Sequence, residues 1–196
     1  MSKRTHRPNF KPQTVRIIGG QWRGRRIGFP DRPGLRPTAD RVRETLFNWL
    51  QPTISGVSCL DLFAGSGVLG LEAASRGADA VLMLDSNPSV VRHLKQQAAL
   101  FNADQIHIVQ ADALSWLQTS TQNFDIIFLD PPFGQGVLAR ALGILREKSL
   151  SSETLIYLET EAALPVPNLP EDWEYLRDAR AGAVKYYLAR VSRCQS

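Results

Sequence analysis

Residues 59–78 read CLDLFAGSGVLGLEAASRGA, and within them Gly65, Gly67 and Gly70 complete a G-x-G-x-x-G. An apolar run precedes the glycines and a helix-forming run follows, the order of strand, tight turn and helix. Glycine lets the backbone turn sharply and lets a ligand approach with no Cβ in the way. The helix after the turn points its first free N–H groups at that ligand. Twenty residues after Gly65, Asp85 ends a second apolar run, the place for an acid that accepts two ribose hydroxyls. The pattern points to an adenosine cofactor. A pyrophosphate and a methionine carboxylate both suit the turn, so NAD and S-adenosyl-L-methionine stay open here. Asp61, just before the glycines, favours the second, because a carboxylate there repels a pyrophosphate and attracts an α-ammonium.

Outward from this stretch the chain alternates strand and helix. SCLDLF (58–63), AVLMLD (80–85), IHIVQAD (106–112), FDIIFLD (124–130) and TLIYLET (154–160) read as strands. Segments 67–75, 87–100, 113–117 and 137–146 read as helices, the second with Val91, Leu94 and Ala98 on one face. This alternation predicts an α/β fold, a parallel sheet with helices on both faces. The tail, WEYLRDAR and AVKYYLARV around Gly182, predicts an antiparallel hairpin on the far edge. Asp85, Asp112 and Asp130 end three strands, and Asp61 lies near the end of another. Carboxyl ends of parallel strands are where open α/β sheets bind ligands. Asp112 suits an adenine amine or a helix N-cap, and both readings stand.

The N-terminal part is different. TVRIIGGQWRGRRI (14–27) predicts a short hairpin turning at Gly19 and Gly20, and FPDRPGLRP (29–37) a proline-rich loop. Thr38 is placed to cap a helix to Leu50, with Val42, Leu46, Phe47, Trp49 and Leu50 as its buried stripe. Residues 1–43 hold twelve Lys/Arg and two Asp, net +10. The remainder holds eleven Lys/Arg against seventeen Asp/Glu, net −6, so the total of +4 hides a basic arm on an acidic body. Such an arm suits a polyanion such as nucleic acid, although residues 1–13 read equally well as a solvated tail. Arg16, Arg23, Arg25, Arg26, Arg36, Arg41 and Arg43 are the candidates for phosphate. Trp22 either stacks on a base or packs the hairpin to the body. Thr38, Asp40 and Arg41 shape the mouth of the site or cap the helix. The expected division is residues 1–50 as arm, hairpin and helix and residues 51–196 as the cofactor-binding domain.

The remaining totals exclude several classes. No apolar run approaches a membrane span, and MSKRTHRPNFKPQTVR has no apolar core of a secretory signal. Cys59 and Cys194, far apart, suit a reducing cytoplasm. His6, His93 and His107 are scattered, and no metal is expected.

The chemistry sits in IIFLDPPFGQG (126–136). Two prolines could simply stiffen the exit from a strand. Each residue also has a use if an exocyclic amine must be methylated. The lone pair of such an amine is delocalised into its ring. The Asp130 carboxylate and the Pro131 carbonyl can each accept one N–H and turn the lone pair outward. Pro131 and Pro132 hold those acceptors still. Asp130 then stabilises the positive charge that grows on nitrogen and takes its proton. Phe133 offers a flat face to a splayed base.

LDLFAGSG with DPPF resembles the class I S-adenosylmethionine-dependent methyltransferases of exocyclic amines. RIIGGQWRGRRI (16–27) and RPTADRVRETLFNWL (36–50) make the resemblance to the bacterial small-subunit rRNA guanine-N2 methyltransferases of the RsmD type. It runs from about Arg16 to the C-terminal strands. The resemblance implies a Rossmann-like class I methyltransferase fold with a mostly parallel seven-stranded sheet, S-adenosyl-L-methionine as cofactor, and a monomer. The implied partner is 16S rRNA, at one guanine (the guanine-966 type), in the small subunit or an assembly intermediate. By the same resemblance, the cofactor contacts fall on Gly65, Gly67, Asp85 and Asp112, and catalysis on Asp130, Pro131, Pro132 and Phe133. One departure is LDSN at 84–87, where another charged residue is expected after the acid. The rivals are a DNA adenine or cytosine amino-methyltransferase, a protein glutamine methyltransferase, a non-catalytic RNA-binding protein and, more distantly, an NAD dehydrogenase.

Overall fold

A computed structural model describes residues 13–29 and 38–192. The basic residues 1–12, the proline-rich loop with Arg36, and Cys194 lie outside the described residues. β1 (Gln13–Arg16) and β2 (Arg26–Phe29) form an antiparallel ribbon ahead of α1 (Asp40–Leu50). Then follow β3 (Ser58–Asp61), α2 (Val68–Ser75), β4 (Ala80–Asp85), α3 (Pro88–Phe101), β5 (Ile106–Gln110), α4 (Ala113–Thr119), β6 (Ile126–Leu129), α5 (Val137–Arg146) and β7 (Leu155–Glu161). The chain closes with β8 (Trp173–Ala181) and β9 (Val184–Val191).

The main sheet has seven strands in the order β5-β4-β3-β6-β7-β9-β8. β3 to β7 are parallel, while β9 runs antiparallel to both β7 and β8. This is the mostly parallel seven-stranded sheet with a C-terminal antiparallel hairpin that the sequence leads one to expect. From β3 the chain winds outward to β4 and β5, then returns to lay β6 and β7 on the other side. The strand order therefore reverses between β3 and β6, and the carboxyl ends at such a reversal are where open α/β sheets bind ligands.

Side chains alternate between the two faces with period 2. Cys59, Val81, Ile126, Phe128 and Tyr157 pack with α1, α2 and α3. Leu60, Leu84, Ile127, Leu129, Ile156 and Leu158 pack with α4 and α5. The same parity places Asp61, Asp85, Asp130 and Glu159 on the α1–α3 face at the carboxyl end. Val15, Ile17, Trp22, Ile27 and Phe29 share the core of that face.

Several local expectations change. β3 stops at Asp61, and β5 stops at Gln110, two residues short of Asp112. Gly19 and Gly20 do not turn a tight hairpin: the ladder ends at Arg16 opposite Arg26, and residues 17–25 make a wider excursion. The excursion docks on the last turn of α2, where Gln21 N–H donates to the Ser75 carbonyl at 2.8 Å. A Cβ on Gly20 would stand 1.8 Å from that oxygen, so glycine is required there for close approach. Thr38 is not the cap of α1. Ala39 occupies the cap position with no side-chain bond, and the Thr38 hydroxyl points elsewhere. The α1 stripe packs as expected, with Trp49 only partly buried against Tyr186 at a ring separation of 5.5 Å.

Candidate active site

The glycine turn crosses the carboxyl end of β3. Gly65 and Gly67 both have positive φ, 50° and 78°, and Gly67 is the N-cap of α2, with no side chain of its own to cap it. A Cβ on Gly70 would stand 2.8 Å from the Met83 sulfur, so the third glycine serves helix–strand packing. Asp61 holds this turn from below: it is 2% exposed and its Oδ2 accepts the Gly70 N–H at 3.1 Å. Burial, reinforced by the Asp85 charge, pushes its carboxyl up to about 7. Its ordered role is thus first to fix the loop, and its charge is the part left to act on a ligand. Asp85 accepts from the Gly65 N–H at 3.1 Å and from the Asn87 N–H at 2.8 Å, which aims its carboxylate across the loop. Asp112 caps α4, accepting from the Ser115 N–H at 2.9 Å and the Ser115 hydroxyl at 2.8 Å, and these bonds hold it below the usual carboxylate range. The cap role is therefore realised, on an exposed acid at the same rim.

Asp130 leaves β6 on the strand beside the glycine turn, because Asp61 stands opposite Phe128 in the β3–β6 register. The Thr38 hydroxyl donates to Asp130 Oδ2 at 3.2 Å, so the head of α1 reaches the site. Burial raises the Asp130 carboxyl well above its ordinary value, and the charges of Glu159 and Asp61 raise it further. Pro131 is buried, whereas Phe133 is 42% exposed and is followed by Gly134 and Gly136, both at positive φ. The tetrad thus pairs a firmly seated acid with an open aromatic face.

Glu159 is the residue the sequence reading missed. It is 7% exposed and accepts the Tyr157 hydroxyl at 2.7 Å. The signal was present: Phe128-Leu129-Asp130 and Tyr157-Leu158-Glu159 are matching triplets, and β6 and β7 pair Phe128 with Tyr157 and Leu129 with Leu158.

The arginines divide. Arg16 and Arg26 are exposed and line, with Thr38 and Asp40, a cleft of about 350 Å³ beside the site. Arg41 is exposed on the first turn of α1. Arg43 is corrected from a phosphate candidate to a structural residue: it is fully buried, bonded to the Thr38 and Arg16 carbonyls, and paired with Asp40 at 2.6 Å and Glu72 at 3.3 Å. Trp22 is corrected likewise, being 6% exposed with its ring 5.0 Å from that of Phe101. Arg25 lies over Phe101 at 4.0 Å and donates to the Leu100 carbonyl at 2.7 Å. Phe101 ends α3, which starts at the rim and runs about 21 Å away from it. Trp22, Arg23 and Arg25 therefore sit at the opposite pole of the sheet, removed from Asp130.

The rim suits S-adenosyl-L-methionine better than a dinucleotide. Asp61, Asp85, Asp112 and Asp130 are all acids, matched to an ammonium, a diol and amines, and they oppose a pyrophosphate. The α2 N-terminus, whose N-cap Gly67 has no side chain of its own, suits a carboxylate. Fold and rim together define a class I methyltransferase.

A family model described as conserved hypothetical protein 95 matches residues 15–190. Ribosomal RNA small subunit methyltransferase D of Escherichia coli K12 is 46% identical over 175 residues, covering 89% of this chain and 88% of its own. The Haemophilus influenzae Rd protein of the same name is 42% identical over 191 residues, covering 95% and 98%. The solved structure of the Escherichia coli protein yhhF superposes with a TM-score of 0.85 at 41% identity, covering 92% of this chain and 99% of that one. The chain belongs to this methyltransferase D family.

Proposed function

We infer that the protein methylates the exocyclic N2 amine of a guanine in 16S rRNA, using S-adenosyl-L-methionine. One observation carries the reading: the strand order seats the glycine turn and Asp130-Pro131-Pro132-Phe133 on neighbouring strands at the reversal point. The names and coverage of the relatives support the rRNA of the small subunit as the polymer.

Asp85 is the acid for the ribose, the α2 N-terminus receives the methionine carboxylate, and Asp61 supplies charge to the ammonium. When bound, the cofactor supplies an electrophilic methyl group on a sulfonium. The chain does the rest. Phe133 receives the face of a guanine taken out of its stack. Asp130 and the Pro131 carbonyl grip the two amine hydrogens and aim the lone pair. Asp130 offsets the charge growing on nitrogen and takes the departing proton. Alignment of donor and acceptor supplies much of the rate. The exposed Arg16, Arg26 and Arg41 neutralise phosphates of the flanking RNA, so residues 1–50 act as the RNA-binding extension of a catalytic unit formed by residues 51–196. The protein works as a monomer in the cytoplasm.

The test is labelled methyl transfer, in parallel, to naked 16S rRNA, to small subunits from a strain lacking this enzyme and to unmethylated DNA, followed by identification of the methylated nucleoside or amino acid. N2-methylguanosine is expected. Methyladenine or methylcytosine in DNA, or a methylated glutamine, as the sole product would overturn the reading.

A further inference from the structure

Buried acids are costly unless they are partnered or used. Glu72 and Asp61 have evident structural bonds, and Asp130 has its role in the tetrad. Glu159 has a bond from Tyr157 but no task in the mechanism above.

Three observations place it. First, the β6–β7 register pairs Leu129 with Leu158, so Asp130 and Glu159 leave adjacent strands side by side, on the same face. Second, Glu159 is held rather than loose: Tyr157 is fully buried, its hydroxyl is on Glu159 Oε2 at 2.7 Å, and its ring packs edge-on to Phe128 at 6.3 Å. Phe128 is two residues before Asp130, so both acids stand on one aromatic layer. Third, among the described residues, the groups that face Asp130 are acidic or neutral. β3 contributes Asp61, with Asp85 of β4 behind it; the head of α1 contributes the Thr38 hydroxyl; β9 places Tyr186 opposite Glu159 and Lys185 opposite Thr160. The buried Arg43 of α1 is turned to Asp40 and Glu72.

We propose that Glu159, held by Tyr157, is a positioning acid for the methyl transfer, its negative charge making Asp130 a true proton acceptor and not only a hydrogen-bond acceptor. An amine that gains a methyl group must shed one proton. The N–H bond breaks toward Asp130, which becomes neutral, and the electron pair stays on nitrogen. A neighbouring fixed anion makes that transfer more favourable. Burial and the Glu159 charge raise Asp130's affinity for a proton, while the Tyr157 bond keeps Glu159 itself ionised to lower pH than burial alone would allow.

This inference rests on the reading of Asp130 as the acceptor, and the test separates the two. Small subunits lacking the modification are methylated by the wild type and by the Glu159→Gln, Tyr157→Phe and Asp130→Asn variants across a pH series. Glu159→Gln is expected to move the acid limb of kcat to lower pH and to lower its plateau roughly tenfold, with KM for the subunits and affinity for S-adenosylhomocysteine unchanged. Tyr157→Phe, which leaves Glu159 easier to protonate, moves the limb the same way by less. Carbon-13 titration of the Asp130 carboxyl, read without substrate, moves down in Glu159→Gln. Asp130→Asn with full turnover would sink the reading of the site. An inactive Asp130→Asn beside a Glu159→Gln whose limb and titration overlay the wild type would sink this inference alone. A folded Glu159→Gln with an unmoved limb that begins to methylate adenine would overturn it too, making Glu159 a reader of the guanine ring N–H.

Discussion

Two acidic regions of this molecule handle buried charge in opposite ways. At the seam between the N-terminal segment and α2, Glu72 is fully buried. It is met by Arg43 at 3.3 Å and Arg76 at 2.8 Å, and by the Ile18 and Gly19 N–H groups at 2.9 and 2.8 Å. Opposite charge and donors surround it, and the result is a fastener. At the rim, Asp61, Asp130 and Glu159 are also buried or half-buried; burial raises the affinity of all three for protons, and neighbouring like charges add to it at Asp61 and Asp130. Burial alone does not distinguish structure from chemistry. The sign of the neighbours does.

The comparison can be broken first at the seam. Glu72→Ala strands two arginines and two N–H groups, and should cost about 3–5 kcal/mol in chemical denaturation. A loss near zero would show that the seam is not a fastener. At the rim, Asp130→Ala should lower kcat about 10³-fold while leaving S-adenosylmethionine affinity within a few-fold by calorimetry. Comparable losses in both would make Asp130 a structural acid like Glu72.

The pH response sharpens the contrast. Folding strengthens the grip of Asp61 on a proton, because burial lifts it from the ordinary carboxylate range up to about 7. Its contribution to stability is fully present below the unfolded carboxylate value and is lost as pH rises through about 7. Asp61→Asn, which cannot ionise, should gain on the wild type by a few kcal/mol between about pH 4 and about pH 8. Parallel urea-unfolding curves across that range would deny that burial raises the Asp61 carboxyl.

Smaller effects test the docking geometry. Gly20→Ala places a Cβ against the Ser75 carbonyl at a φ of 73°, and should destabilise by about 1–3 kcal/mol. Last, Arg26→Ala should lower the salt slope of RNA binding by about 1, whereas Arg23→Ala, at the opposite pole, should leave it unchanged. Equal slopes for the two variants would mean that RNA covers both poles.

Much of this was legible in the chain. The strand-helix alternation, the glycine turn and the DPPF tetrad are short-range patterns, each dictated by backbone geometry within about ten residues. The charge asymmetry pointed to an arm but not to which arginines reach solvent. Arg43 lies among six other candidate arginines and looks like them in sequence. It is withdrawn because Glu72, twenty-nine residues later, comes to rest against it. Trp22 was open between stacking and packing, and Phe101 decides for packing.

The sequence by itself determined the local elements, the parity that sends Asp61, Asp85 and Asp130 to one face, and the acids' place at strand ends. These follow from the period of a strand and the conformational freedom of glycine, and they need no partner. Only the tertiary structure decided that β6 lies beside β3, that Glu159 stands next to Asp130, and that Arg43 and Trp22 are interior. Strand order and burial depend on which distant segments pack together, and that free energy belongs to the assembled core and not to any one stretch of chain.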